Sequence, residues 1–193
     1  NAIYDEKMNF RYAFTDLNAK ITHKSSNRSV LSANFYTGND VFKFMSDDAS
    51  EYLVNGIREY RRDVQDINLG WGNMVGSLNW NYEIDDKISM TNKLYYSGSF
   101  SGLGYKEENT RDENYDMVGI NYNNKVHTIG LRSDFFHSLN STHRLRYGAT
   151  AQLHYYRPNY ISQVEERDGK ESFKYNPYAD SLKYNTVEAS IYG

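Results

Sequence analysis

Five histidines, His23, His127, His137, His143 and His154, are the first side chains to weigh for chemistry. None forms a His-x-x-x-His or His-Glu pair, the spacings that place two ligands on one metal. The absence of Cys removes thiolate ligands and disulfides as well, so no metal or cofactor is expected. Gly98-Ser99-Phe100-Ser101-Gly102 has the outline of a nucleophile elbow, but its central residue is Phe and supplies no nucleophile. Gly102-Leu103-Gly104 is too short to cradle a phosphate. Asn27-Arg28-Ser29 and Asn140-Ser141-Thr142 match the glycosylation pattern, yet asparagine at a turn explains both. The run Glu165-Glu166-Arg167-Asp168-Gly169-Lys170-Glu171 reads as a solvated loop tip turned at Asp-Gly. Its aromatic flanks, Tyr160, Phe173, Tyr175 and Tyr178, are candidate ligand contacts on that loop. No catalytic residue is expected anywhere.

Composition narrows the class. The 193 residues are 39% hydrophobic and 16% aromatic, with 19 Tyr and two Pro. Mean hydropathy is -0.81, that of a water-loving chain. No apolar run is long enough for a transmembrane helix, but alternating strands of a membrane barrel average out in the same way. The net charge of -3 offers no basic excess for nucleic acid. No charged and apolar leader opens the sequence, and a fragment of a longer chain is the expected reading.

The elements that position these residues are strands. From Gly72 every second residue is apolar or small: Met74, Gly76, Leu78, Trp80, Tyr82, Ile84. After Asp85-Asp86-Lys87 the alternation resumes through Ile88, Met90, Leu94, Tyr96, Gly98 and Phe100. Three connecting residues keep all these side chains on one face of a hairpin. A second hairpin turns near residue 25, with Ile21, Ala19 and Leu17 on one arm and Leu31, Ala33 and Phe35 on the other. Its first arm changes phase, since Phe10, Tyr12 and Phe14 are even-numbered; that is either a bulge or the end of a girdle. A third turns at Asn140-Ser141-Thr142, joining Ile129, Leu131 and Phe135 to Leu145, Tyr147, Ala149, Ala151, Leu153 and Tyr155. Residues 45–65, 102–116 and 157–183 lack clean alternation and are expected to be long polar loops. A seventh strand begins at Val187.

Short and long connections thus alternate strictly, as they do in outer-membrane barrels with tight turns at one end and long loops at the other. The apolar stretches run roughly nine to eleven residues, the length of a tilted membrane-spanning strand. Lys20, Lys93, Arg132, Arg144 and Arg146 all fall on the opposite parity. The expected fold is all-β, an antiparallel up-and-down meander of about seven long strands forming part of a transmembrane barrel. Its expected lipid-facing belt comprises Leu78, Trp80, Tyr82, Met90, Leu94, Tyr96, Leu145, Tyr147, Leu153 and Tyr155.

Several strand patterns also resemble a known family. Trp71-Gly72-Asn73-Met74-Val75-Gly76-Ser77-Leu78-Asn79-Trp80-Asn81, running into Ile88-Ser89-Met90-Thr91-Asn92-Lys93-Leu94-Tyr95-Tyr96-Ser97, resembles the barrel of TonB-dependent outer-membrane receptors of Bacteroidetes type. So do Arg132-Ser133-Asp134-Phe135-Phe136, His143-Arg144-Leu145-Arg146-Tyr147-Gly148 and Tyr155-Tyr156-Arg157-Pro158-Asn159, in the same order. Gly38-Asn39-Asp40-Val41-Phe42-Lys43-Phe44 adds a fainter likeness. The resemblance implies that residues 1–193 are part of a 22-stranded barrel closed by a plug domain. Such a receptor sits in the bacterial outer membrane and imports a scarce solute (iron chelate, vitamin, glycan or peptide) with energy relayed by TonB. The implied partners are outer-membrane lipid, the protein's own plug, the TonB complex, the solute and a surface lipoprotein over the loops. Two other readings stand beside it. A lipase-like enzyme barrel would need a Ser-His pair, for which Ser133 and His137 share the apolar parity but lie near a short turn. A soluble surface adhesin or binding module would need no lipid at all.

Overall fold

A computed structural model describes residues 3–175 and 183–193. The chain folds into one antiparallel sheet of eight strands: β1 (Ile3–Ser26), β2 (Ser29–Val54), β3 (Ile57–Glu83), β4 (Ile88–Arg111), β5 (Asn114–Ser138), β6 (Arg144–Arg167), β7 (Lys170–Tyr175) and β8 (Tyr184–Tyr192). Strands β1 to β7 pair in sequence order, and β8 pairs with the inner half of β6. The all-β meander is therefore the fold, as a sheet that does not close on itself.

At 45–65, 102–116 and 157–175 strands run on where long loops are expected, and residues 176–182 of the third expected loop lie outside the described residues. Val54 pairs with Ile57 across a two-residue turn at Asn55-Gly56, with φ of 52° and 83°. Arg111 pairs with Asn114 across Asp112-Glu113, and Arg167 with Lys170 across Asp168-Gly169. Asn-Gly and Asp-Gly tolerate positive φ at both central positions, the turn whose twist matches that of the flanking strands. At the opposite end, Ile84 and Ile88 close the expected hairpin, the Ile84 N–H donating to the Ile88 carbonyl at 2.9 Å. Asp85 fixes that turn by accepting the N–H groups of Lys87 and Ile88 at 2.7 and 2.8 Å.

The hairpins are staggered. Projected onto β3 through the pairing, the outer turns end level with Ile57, Arg61 and Asp63 in succession. A sheet that shears steadily in one sense is one whose strands tilt when it curls toward a barrel. Nothing covers either face among the described residues, and no hydrophobic side chain there is buried. A single layer with bare apolar side chains is not a soluble core.

Candidate functional site

Directly paired residues share a face, so the register sorts every side chain. All ten expected belt residues fall on one face. Leu78 stands opposite Leu94, which stands opposite Leu131 and then Ala151. Gly76, Tyr96, Ile129 and Leu153 form the next row, and Tyr82, Met90, Phe135 and Tyr147 the row nearest the short turns. Rings gather at both edges. Phe135 stacks on Tyr147 at 5.3 Å and Trp80 leans on Tyr82 at 5.5 Å. Toward the outer edge His127 lies between Tyr96 and Tyr155, its Nδ1 2.7 Å from the Tyr96 hydroxyl. Leu78, Leu94 and Leu131 remain 58%, 49% and 54% exposed, so no second layer covers them among the described residues. From Tyr82 to Gly72 the belt spans about 33 Å along the strand, or about 25 Å vertically at a barrel tilt.

The other face is polar at this height. Lys20, Lys93, Arg132, Arg144 and Arg146 all lie on it. Asp134 gathers Arg132, at 2.7 Å, Arg146, at 3.3 Å, and the Tyr192 hydroxyl from β8. His154 sits there too, beside Thr128 and 3.6 Å from Glu188.

Further out the two faces exchange character. The pairing of β1 with β2 runs without a shift from Ile3 to Lys24, so the phase change at Phe14–Leu17 is not a bulge. Instead the apolar residues cross to the polar face. There Tyr12, Phe42, Leu69, Leu103 and Tyr122 form one row, and Phe10, Phe44, Ile67, Tyr105 and Ile120 the next. Phe10 meets Phe42 edge-on at 5.2 Å. Carboxylates border this wall: Tyr12 donates to Asp40, Tyr36 to Asp16 at 3.1 Å, and Tyr105 to Glu107 at 2.6 Å. Hydrogen bonds from Tyr105 and Asn109 hold Glu107 below the usual carboxylate range. On the belt side the outer half is charged and paired. Both guanidinium nitrogens Nε and Nη2 of Arg62 donate to Asp47 at 2.7 Å, a bidentate bond that lowers the Asp47 pKa.

The candidate ligand aromatics divide. Phe173 and Tyr175 lie on β7, stacked at 6.2 Å and half exposed. Tyr160 is placed only as backbone in β6, opposite Asn123. Tyr178 lies outside the described residues. Ser133 and His137 share the belt face but stand four residues apart on one strand, about 13 Å and beyond hydrogen-bond reach. Among the described residues no cluster of three His, Asp or Glu could hold a metal. Sequence reasoning shows this wall only as the change of phase at Phe10, Tyr12 and Phe14; its other residues occupy the parity that is polar closer to the short turns.

No family model and no curated protein matches the chain. Among solved structures it is similar to a major outer membrane protein from Thermus thermophilus, at 14% identity over 93% of this chain and 100% of that one, with a TM-score of 0.21. It is also similar to the KdgM porin in complex with disordered oligogalacturonate (13% identity, 89% of this chain and 99% of that one, TM-score 0.13). Against the ferric citrate transporter FecA the identity is 7% over 98% of this chain and 40% of that one, with a TM-score of 0.20. Likenesses of this size carry no argument about what the chain does.

Proposed function

We propose that this chain is part of the wall of a bacterial outer-membrane β-barrel that admits a solute. The carrying observation is the belt: one face of a single, steadily sheared sheet is apolar over about 25 Å, apart from Ser133 and Asn92, which hydrogen-bond to each other, and it is ringed at both edges and bare. Acyl chains are the solvent such a face fits. The polar face then lines the interior, and the aromatic wall with Asp40 and Glu107 lines the outer vestibule that a solute crosses. The barrel is a transporter without chemistry of its own. Energising through TonB, a plug, a scarce cargo and a surface lipoprotein rest on the resemblance of residues 71–97 and 132–159 to that receptor family. The ten belt residues face lipid; Phe173 and Tyr175 stand at the outer rim, where solute is met.

The two tryptophans test the sidedness. Trp80 lies on the belt face and Trp71 on the other, 39% and 41% exposed. In the full-length protein reconstituted in phospholipid vesicles, brominated acyl chains should quench Trp80 (read in a Trp71→Phe variant) and spare Trp71 (read in Trp80→Phe). Aqueous iodide should do the reverse. Equal quenching of both by either agent would remove the lipid-facing assignment.

A further inference from the structure

Where the belt ends on its outer edge, its face gathers cations. Arg11 stands directly opposite Lys43, and Lys125 directly opposite Arg157. Like charges directly across a strand pair destabilise a sheet, and an anion seated between Arg11 and Lys43 relieves that repulsion. Farther out on the same face cations have carboxylates beside them: Lys7 with Asp5, Arg62 with Asp47, Lys106 with Glu108. Arg11, Lys43 and Lys125 have no ion pair among the described residues, and all three are exposed. On the reverse of the sheet at this height stand Asp16 and Asp40, while on the belt side Asp66 stands beside Asn68, one row outward of Lys43.

The two cation pairs share a height. Projected onto β3, Arg11 and Lys43 lie level with Asn68, and Lys125 level with Gly72. That offset of four residues is about 13 Å along the strand, across four strand spacings of about 19 Å in all. The line joining them is inclined about 35° to the pairing direction, within the tilt that barrel strands adopt. Between them the same face is hollow. Gly70, Gly102 and Gly104 floor a shallow groove of about 500 Å³, with Lys43 at one end and Phe100 on its belt side. Asn121 and Asn123 lay their side-chain amides across Gly104 and Gly102, oxygens nearest the floor, and Asn68, which donates to Asp66 at 2.6 Å, closes the wall.

We infer that this groove and the cations flanking it seat the phosphorylated headgroup of an outer-leaflet lipid whose acyl chains lie on the belt below. The occupant follows from continuity and charge: the cations begin where the apolar belt stops, on the side facing lipid, and Arg11, Lys43 and Lys125 carry no ion pair there. The inference rests on the barrel reading above.

The full-length protein in detergent, titrated with bis-phosphorylated lipid A and with its phosphate-free counterpart, tests it by native mass spectrometry. The phosphorylated lipid should bind more tightly. Arg11→Gln with Lys43→Gln should weaken it about 30-fold, roughly fivefold per charge, and Lys125→Gln alone about fivefold. Lys20→Gln and Lys93→Gln, on the opposite face, should leave it unchanged. Equal binding of the two lipids, or unaltered binding by the double variant, overturns the inference. Displacement by millimolar inorganic phosphate would mark a free-anion site and overturn it too. Insertion into phosphatidylcholine vesicles separates the two levels. A protein that inserts without preferring phosphate sinks the headgroup site alone; one that does not insert sinks the barrel with it.

Discussion

Replacing Leu78 by Arg places a cation in the middle of the belt. Leu78 lies four residues from Tyr82 in the inner ring of aromatics, about 13 Å along the strand and about 10 Å vertically at a 40° tilt. The belt is about 25 Å tall, so the new charge sits close to its midplane. Its directly paired neighbours are Ala33 and Leu94, with Leu131 beyond; no carboxylate stands beside it, and the nearest amide, Asn92 one row inward, already accepts from Ser133. The expected cost is about 2–4 kcal/mol, or roughly 30- to 700-fold in the folding equilibrium. Ser97→Arg is the matched control, since Ser97 pairs with Val75 and Thr128 on the polar face. A charge there should cost under about 1 kcal/mol. Denaturant titration of the full-length protein in phospholipid vesicles, followed by tryptophan fluorescence, measures both. Were the belt face in water, Leu78→Arg would be an exposed substitution worth no more than about 0.5 kcal/mol. Equal shifts for the two variants would therefore refute the assignment of lipid to this face.

Two glycines test the packing on either side of the sheet. A Cβ at Gly148 would collide with the Ser133 carbonyl oxygen and the Tyr192 ring, whereas one at Gly76 meets nothing. Gly148→Ala should thus destabilise by about 1–3 kcal/mol, while Gly76→Ala should be neutral or slightly stabilising in the same titration. At the Ile84–Ile88 turn, backbone N–H bonds from Lys87 and Ile88 hold the Asp85 carboxyl below its usual pKa. A group depressed on folding contributes stability that is complete above its unfolded pKa and lost as pH falls through the folded one. The unfolding midpoint should therefore drop more steeply below about pH 4 in wild type than in Asp85→Asn; parallel pH profiles would remove that role.

The inner half of the sheet is legible in the sequence because one period governs it. Between Gly72 and Phe100, an apolar environment on one side only forces strict alternation, and the three-residue turn preserves parity, so hairpin, register and belt all follow. Of the outer half the sequence shows the even-numbered phase of Phe10, Tyr12 and Phe14, while 45–65 and 102–116 read as loop for a physical reason. Phe10, Tyr12, Phe42, Phe44, Ile67, Leu69, Leu103 and Tyr105 alternate as regularly as the belt does, but on the other parity. A pattern that changes face within one continuous strand looks aperiodic to any window that straddles the change. Asn55-Gly56 and Asp168-Gly169 are tight-turn signals that correct the loops at two points. The cation pairs are out of reach of the sequence, because Arg11 and Lys43 become neighbours only through a register that links residues far apart in the chain.

The outer strands stand clear of the belt by a considerable height. From Gly72 to Ile57, β3 continues for about 50 Å along its axis, or about 38 Å vertically at a 40° tilt, and it ends in a two-residue turn rather than a flexible loop. In the barrel proposed above, such a rim makes a stiff chimney whose bore, not the folding of a lid, would decide what enters. Cargo of that barrel would be screened by girth at the mouth before touching the rings below, and proteases would meet little slack chain at the three hairpin tips among the described residues.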